Sequence, residues 1–298
     1  MESRFIPAGY SYFEVKKIIR RLCAKYPFLT SESIGKTVAG REISVLKIGS
    51  AAEKVLFLGG DNPTHYLSTL ILLKFLEDIC YCTQKGKTLC GIDMRSALFG
   101  RTLCIIPLLN PDGLEIKRQG KLLGTPFYDP SSELFKAETQ NWQSNLRGVE
   151  LSRNLPFEFE ERRQSEKMKG IRSAAPFGYS GPCPLSEAET LSLYNFVKRN
   201  DINHIVHLSG FGQRVSYSGL GGTASLGVKM AEIIAAVSGY CVSPPFLESD
   251  TIICDWFSNE FSRPAVLIRA GKENLNEIKN FEAEYKTLRE ALALSSLF

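Results

Sequence analysis

Short apolar runs rich in β-branched residues alternate along this chain with longer stretches whose apolar residues recur at helical spacing, and this alternation limits the fold more than any other feature. A period of about 2 suits a strand and about 3.6 suits a helix, so repeated switching between them predicts an α/β fold. Tyr12, Val15, Ile18, Ile19, Leu22 and Tyr26 predict an opening amphipathic helix. Strands are expected at residues 42–48, 54–59, 102–107, 204–208 and 265–268. Helices are expected over 66–79, from a capping box of Ser186 and Glu189 through Phe196, over 224–237 with Gly239 as the stop, and along a final stripe of Leu275, Ile278, Phe281, Tyr285, Leu288 and Leu292. Residues 114–180 have poor periodicity and read as long loops, with the run from Glu158 to Arg163 a solvated face. Nothing resembles a linker or a repeat, so a single domain over residues 1–298 is expected.

Composition removes several classes of partner. The 36 Lys and Arg against 32 Asp and Glu leave a formal charge of only +4, with no basic tract, which argues against nucleic acid. No stretch approaches the roughly 18 apolar residues of a membrane span, and the opening MESRFIPAGYSYFEV lacks the apolar segment of a secretion signal. A cytoplasmic protein without a membrane partner is expected. Cys23, Cys80, Cys82, Cys90, Cys104, Cys183, Cys241 and Cys254 lie in or beside apolar runs without C-x-x-C spacing, which favours buried thiols over disulfides. The histidines are only three: His65, His204 and His207.

Ligand sites in open α/β sheets form beyond the carboxyl ends of the strands. That rule selects residues 59–65, 109–113, 209–212 and 269–271 as the places to search. Pro-Asp-Gly at 111–113 is turn chemistry and reads as a shaping element, not a catalytic one.

The same places carry a resemblance. Residues 33–43 (SIGKTVAGREI), 106–113 (IPLLNPDG), 145–154 (NLRGVELSRN), Tyr179-Ser180-Gly181-Pro182 with Ser186-Glu187, and Asp255-Trp256 together resemble the zinc carboxypeptidase family, from about residue 8 to 292. The likeness is greatest to its bacterial branch of γ-D-glutamyl-diamino-acid endopeptidases, which act on peptidoglycan peptides. The resemblance implies a metallocarboxypeptidase-like fold: a mixed central β-sheet flanked by helices. It also implies one zinc bound by a His-x-x-Glu pair and a later His, a water in the fourth position, and a Glu as general base.

In this chain the His-x-x-Glu place reads Asn62-Pro63-Thr64-His65, the later His place holds Ser209, and the Glu place holds Arg269. A zinc-bound water has a pKa of about 7 against about 15.7 in bulk, so losing the ion removes on the order of eight decades of hydroxide. Asn and Ser do not replace imidazole, and Arg accepts no proton. The expectation is a catalytically inactive homologue, a pseudopeptidase with no catalytic residue, no bound metal and no cofactor. The alternative is an active metallopeptidase with a metal held by His65 and His207 together with Asp61 or Glu150; local or core roles for these histidines are favoured over it. His204 points to the opposite face of its strand.

Arg153 and Asn154 match the motif that grips the substrate's terminal carboxylate, which makes a peptide or cell-wall-type peptide with a free carboxylate the expected partner. An ion pair between Arg153 and Glu150 weighs equally. Ser152 stands where the family more often has Asn, and Gln143 follows Trp142 where Lys or Arg is commoner, so the oxyanion-stabilising role is in doubt. Arg269 is expected to pair with Glu150 and fill the vacated space, ahead of binding an anion with Arg153. A third reading is a purely structural protein whose cleft has closed around Arg269.

Overall fold

The computed structural model describes residues 11–119, 141–218, 224–243, 252–272 and 281–298. Four strands form the parallel centre: β3 (Glu53–Gly59), β6 (Arg101–Ile106), β7 (Ile202–Leu208) and β10 (Ala265–Arg269), in the order β6, β3, β7, β10 and all in one direction; β2 is Glu42–Ile48. β2 runs antiparallel beside β6, and β1 (Thr30–Lys36) antiparallel beside β2. At the other end β8 (Arg214–Tyr217) lies antiparallel to β10, and β9 (Cys241–Ser243) is parallel to β8. The result is a mixed eight-stranded sheet in the order β1-β2-β6-β3-β7-β10-β8-β9. A separate small ladder joins β4 (Thr88–Leu89) to β5 (Ile92–Asp93), and the short helix α3 (Met94–Phe99) follows it.

Strand parity sorts the central side chains between two hydrophobic clusters. Val55 and Phe57 pack on one face with helices α1 (Tyr12–Lys25), α2 (Tyr66–Lys85), α7 (Ala224–Ser238) and α9 (Phe281–Ser295). Leu56 and Leu58 pack on the other with α6 (Ala188–Asn200) and α8 (Ile252–Phe261). A sheet apolar on both faces must be covered on both, which explains the near-continuous apolar runs in its central strands. Among the described residues no helix is long and apolar enough to cross a membrane.

Several expectations need correction. The 186–189 capping box does not form: α6 starts at Ala188, its N-cap Glu187 makes no side-chain cap bond, and Glu189 is buried. The buried amide of Asn154 does that work, accepting from Glu187 N–H at 3.1 Å and the Thr190 hydroxyl at 2.6 Å. Pro-Asp-Gly is no isolated turn but the start of α4 (Pro111–Gln119), with Asn110 Oδ1 accepting from Gly113 N–H at 2.9 Å and Pro in the first turn. The run at Glu158–Arg163 opens α5 (Phe159–Met168); Glu158, Glu160 and Glu161 are exposed, while Phe159 is buried and Arg162 and Arg163 are half-buried. Cys183 and Cys241 are exposed; all eight cysteines are free. Gly239 does end α7, at φ 73° with its N–H on Ala235 O. Leu275 and Ile278 of the last stripe lie outside the described residues.

The parallel centre places the carboxyl ends of β3, β6, β7 and β10 along one edge, and backbone bonds stitch the emerging loops together. Leu109 N–H donates to Gly59 O at 3.2 Å, Asn110 N–H to Gly60 O at 2.8 Å, and Ser209 N–H to Ile268 O at 3.2 Å. Gly60 makes this possible: φ is +63°, and a Cβ there would stand 2.8 Å from Leu108 Cα and Pro107 O. Gly60→Ala is therefore expected to lower the unfolding free energy by about 2–3 kcal/mol, combining backbone strain with a clash against main chain, as measured by urea denaturation.

Candidate functional site

The loop after β3 is shaped by its own polar side chains. Asn62 Oδ1 accepts from Thr64 N–H at 2.9 Å and from the Thr64 hydroxyl at 2.8 Å, winding residues 63–65 into a 3₁₀ turn that feeds α2. Asn62 Nδ2 donates to Gln143 Oε1 at 3.2 Å. His65, at the end of the turn, is aimed across the sheet edge to the loop after β7. Its Nδ1 accepts from Gly210 N–H at 2.8 Å and stands 3.0 Å from Ser209 Oγ. An N–H aimed at Nδ1 requires a lone pair there, so the ring is neutral with its proton on Nε2. Phe211 meets the ring edge-on at 5.1 Å between centroids.

Arg269 completes the group from the last residue of β10. It is only 5% exposed. Gly210 (φ +75°) leaves room for its stem, since a Cβ there would lie 3.2 Å from Arg269 Cγ and 3.3 Å from Cδ. Its Nη1 donates to Ser216 Oγ on β8 at 3.0 Å. His65 and Ser209 are thus in direct contact and Arg269 joins them through Gly210, while the Asn62 side chain is bonded to Thr64 and Gln143.

Asp61 and His207 form a buried pair just beneath. His207 Nε2 donates to Asp61 Oδ1 at 3.0 Å, and His207 Nδ1 is buried with no hydrogen-bond partner among the described residues. Burial pushes the Asp61 carboxyl up, but His207, then His65 and Ser209, pull it below its ordinary value. His65 itself is lowered to about 4, chiefly by burial, which Asp61 opposes and His207, Lys117 and Arg269 reinforce. His204 lies on the other face, buried, with Nε2 at 2.9 Å from Ser295 O. Among the described residues no three His, Cys, Asp or Glu side chains stand together so as to hold a metal ion.

Arg153 and Asn154 belong to a different network. Arg153 Nε pairs with Glu150 at 3.2 Å, and Nη1 lies 4.0 Å from Glu166. The Glu150 carboxylate also accepts from Gly178 N–H at 2.7 Å. The Arg269–Glu150 pair expected from sequence is thus replaced by Arg153–Glu150 on one side and Arg269–Ser216 on the other. Asn154 is fully buried, donating to Ser180 O, Cys183 O and Ser186 Oγ at 2.7, 3.0 and 2.9 Å. With both acceptor positions on α6 as well, its amide has nothing left for a ligand.

Sequence reasoning missed Lys117 and Ser216. Lys117 sits four residues after Gly113 on α4, a helix the Pro-Asp-Gly motif concealed. Ser216 falls in the short β8, where Arg214-Val215-Ser216-Tyr217 does alternate, although inside a Gly-rich stretch. On the linkage sign, a base depressed in the fold contributes stability present above its unfolded pKa, near 6.5 for histidine, and lost as pH falls toward the folded value of about 4. Two-dimensional nitrogen–proton NMR should accordingly find His65 neutral, as the Nε2–H tautomer, down to about pH 4. A ring that charges at its ordinary value would refute the Gly210 bond.

Comparison with known proteins agrees with this architecture. The family model described as zinc carboxypeptidase matches residues 15–240. The γ-D-glutamyl-L-diamino acid endopeptidase 1 of Lysinibacillus sphaericus is 25% identical over 302 residues, covering 96% of this chain and 71% of that protein. The carboxypeptidase A of Helicoverpa armigera superposes with a TM-score of 0.72 at 16% identity, over 97% of this chain and 73% of that one. The murein-tripeptide amidase MpaA of Escherichia coli O157 superposes at 0.54 with 16% identity, over 89% and 91%.

Proposed function

The chain belongs to the zinc carboxypeptidase family, and within it we propose a catalytically inactive member, a pseudopeptidase that keeps the cleft for a peptide carboxylate without the zinc chemistry. One observation supports this reading: at the positions where the resemblance expects metal ligands and base stand Asn62, His65, Ser209 and Arg269, and the last three gather around Gly210 beside the turn that Asn62 shapes. The donor set does not suit zinc. His65 Nδ1 is already occupied by Gly210 N–H, Asn62 Oδ1 by two donors from Thr64, and the nearby guanidinium repels a dication. Arg269 also supplies no base, because a guanidinium does not give up its proton near neutral pH even when burial and Arg214 lower it to about 10.

A rearranged metal site would need His65 and His207 to share an ion. His207 Nε2 is instead committed to Asp61 and His65 Nδ1 to Gly210. Nothing in the geometry favours that alternative. Arg153 remains a candidate for the ligand's carboxylate, since its side chain is 20% exposed. Asn154 is a positioning residue that fixes the Arg153 turn against α6. The γ-D-glutamyl endopeptidase and murein-tripeptide amidase relatives make a cell-wall-type peptide the ligand class of choice. Eight free thiols support a reducing, cytoplasmic setting.

Purified without a tag, the chain should carry substoichiometric zinc by plasma mass spectrometry and should not cleave a γ-D-glutamyl-diaminopimelate peptide with zinc, cobalt or manganese added. The triple substitution Asn62→His, His65→Glu, Ser209→His should gain zinc. Stoichiometric zinc in the unaltered chain, lost in His65→Ala, would overturn the proposal.

A further inference from the structure

We propose that Glu189 is a proton-dependent lock: it folds as the neutral acid, and losing its proton to solvent loosens the junction between α4, residues 145–149 and the first turn of α6. The proposal is independent of whether the cleft holds zinc or cleaves a peptide.

Three acidic side chains are buried at this junction. Asp112 is 1% exposed, and Glu187 and Glu189 are fully buried. Asp112, in the first turn of α4, is met by the Arg41 guanidinium at 2.7 Å, the Thr37 hydroxyl at 2.8 Å and Ala39 N–H at 3.1 Å. Glu187, the N-cap of α6, accepts from the Ser186 hydroxyl and from Asn145 Nδ2, both at 2.8 Å, and has Arg147 Nη1 at 3.7 Å. Glu189 has no such cation among the described residues. Its Oε2 stands 3.4 Å from Asn145 Nδ2, and its Oε1 is buried with no hydrogen-bond partner among the described residues.

The Asn145 amide is not free to turn and serve Glu189 better. Its Oδ1 accepts from Arg147 N–H at 2.9 Å and Val149 N–H at 3.1 Å, which fixes Nδ2 toward the two carboxyls, and the shorter bond goes to Glu187. A bare carboxylate oxygen in such a place loses its hydration without replacement, whereas the neutral acid loses far less. Burial accordingly pushes the Glu189 carboxyl up to about 7; Asp112 and Glu187 add to the rise, and its own N–H and Asn145 oppose it.

The junction transmits this charge. The first turn of α6 presents Glu187 N–H and the Thr190 hydroxyl to Asn154 Oδ1, so the turn that bears Arg153 is tied to it. An ionised Glu189 repels Asp112 and Glu187 within a buried group and works against the bonds of Asn145. The fold keeps a proton that the unfolded chain has already released, so stability falls as pH rises from about 4.5 to about 7.

The test follows the full chain, with carbon-13-labelled glutamate, by NMR across this range, beside Glu189→Gln, which copies the neutral acid. The Glu189 Cδ signal, assigned through its own backbone, should titrate near pH 7. Relative to Glu189→Gln, the folding equilibrium constant of the unaltered chain, from urea denaturation, should fall by about 10–100-fold between pH 5 and pH 8. Amide exchange at Arg147, Val149 and Glu187 should be equal in the two proteins at pH 5 and at least about threefold faster in the unaltered chain at pH 8. A Glu189 carboxyl that titrates near its ordinary 4.5, a pH dependence shared by Glu189→Gln, or faster exchange spread evenly over the sheet would each overturn the proposal. The carboxyl titration uses the unaltered chain and decides even where Glu189→Gln does not fold.

Discussion

The hydrogen bond from Gly210 N–H to His65 Nδ1 joins the loops after β3 and β7, and most of what distinguishes this cleft follows from it. It is a neutral bond worth about 1 kcal/mol net, yet leaving that N–H buried and unmade would cost about 1–3 kcal/mol. It fixes the tautomer of His65, seats Ser209 against the ring, and leaves Gly210 at positive φ with the open space that Arg269 fills. The bond occupies the Nδ1 lone pair, so any other donor or cation at that atom would have to displace Gly210 N–H.

Charge around the cleft is balanced locally. The buried guanidinium of Arg269, at the carboxyl end of β10, donates through Nη1 to Ser216 Oγ. The acid that remains closest, Asp61, is balanced internally by His207 at 3.0 Å, while Glu150 is balanced by Arg153. Buried ions are tolerated only when paired in this way. Two polar hubs carry the outer frame: Asp112 accepts from Thr37, Ala39 N–H and Arg41 at 2.8, 3.1 and 2.7 Å, and Asn154 joins residues 180–190 to the turn bearing Arg153. Both hubs belong to motifs that carried the family resemblance, and both serve architecture.

Legibility from sequence followed the range of the interactions. Strands such as 42–48 and 265–268 were readable because burial on both faces writes an apolar run into the sequence. β1 was not, since Thr30–Lys36 is mostly exposed at the sheet edge and shows no apolar alternation. The α6 cap was misplaced because a local Ser-x-x-Glu pattern competed with a cap supplied by Asn154, more than thirty residues earlier. The sheet-edge rule pointed to the four loops because parallel strands bring their carboxyl ends to one edge. Lys117 and Ser216 were invisible because nothing local marks a side chain whose meaning depends on helix packing or on pairing across β8 and β10.

The shape of the cleft rests on main-chain bonds. In a site closed by zinc, the ion itself ties the loops together and contributes to folding. Here the loops are tied by backbone bonds, Leu109 to Gly59, Asn110 to Gly60 and Ser209 to Ile268, together with Asn110 Nδ2 on Asp61 O at 3.0 Å. None of these uses the side chains of Asn62, His65 or Ser209, which have partners of their own: Asn62 in Thr64, and His65 in Gly210 and Ser209. The shape of this edge is therefore set by the main chain, and the side chains are held within it.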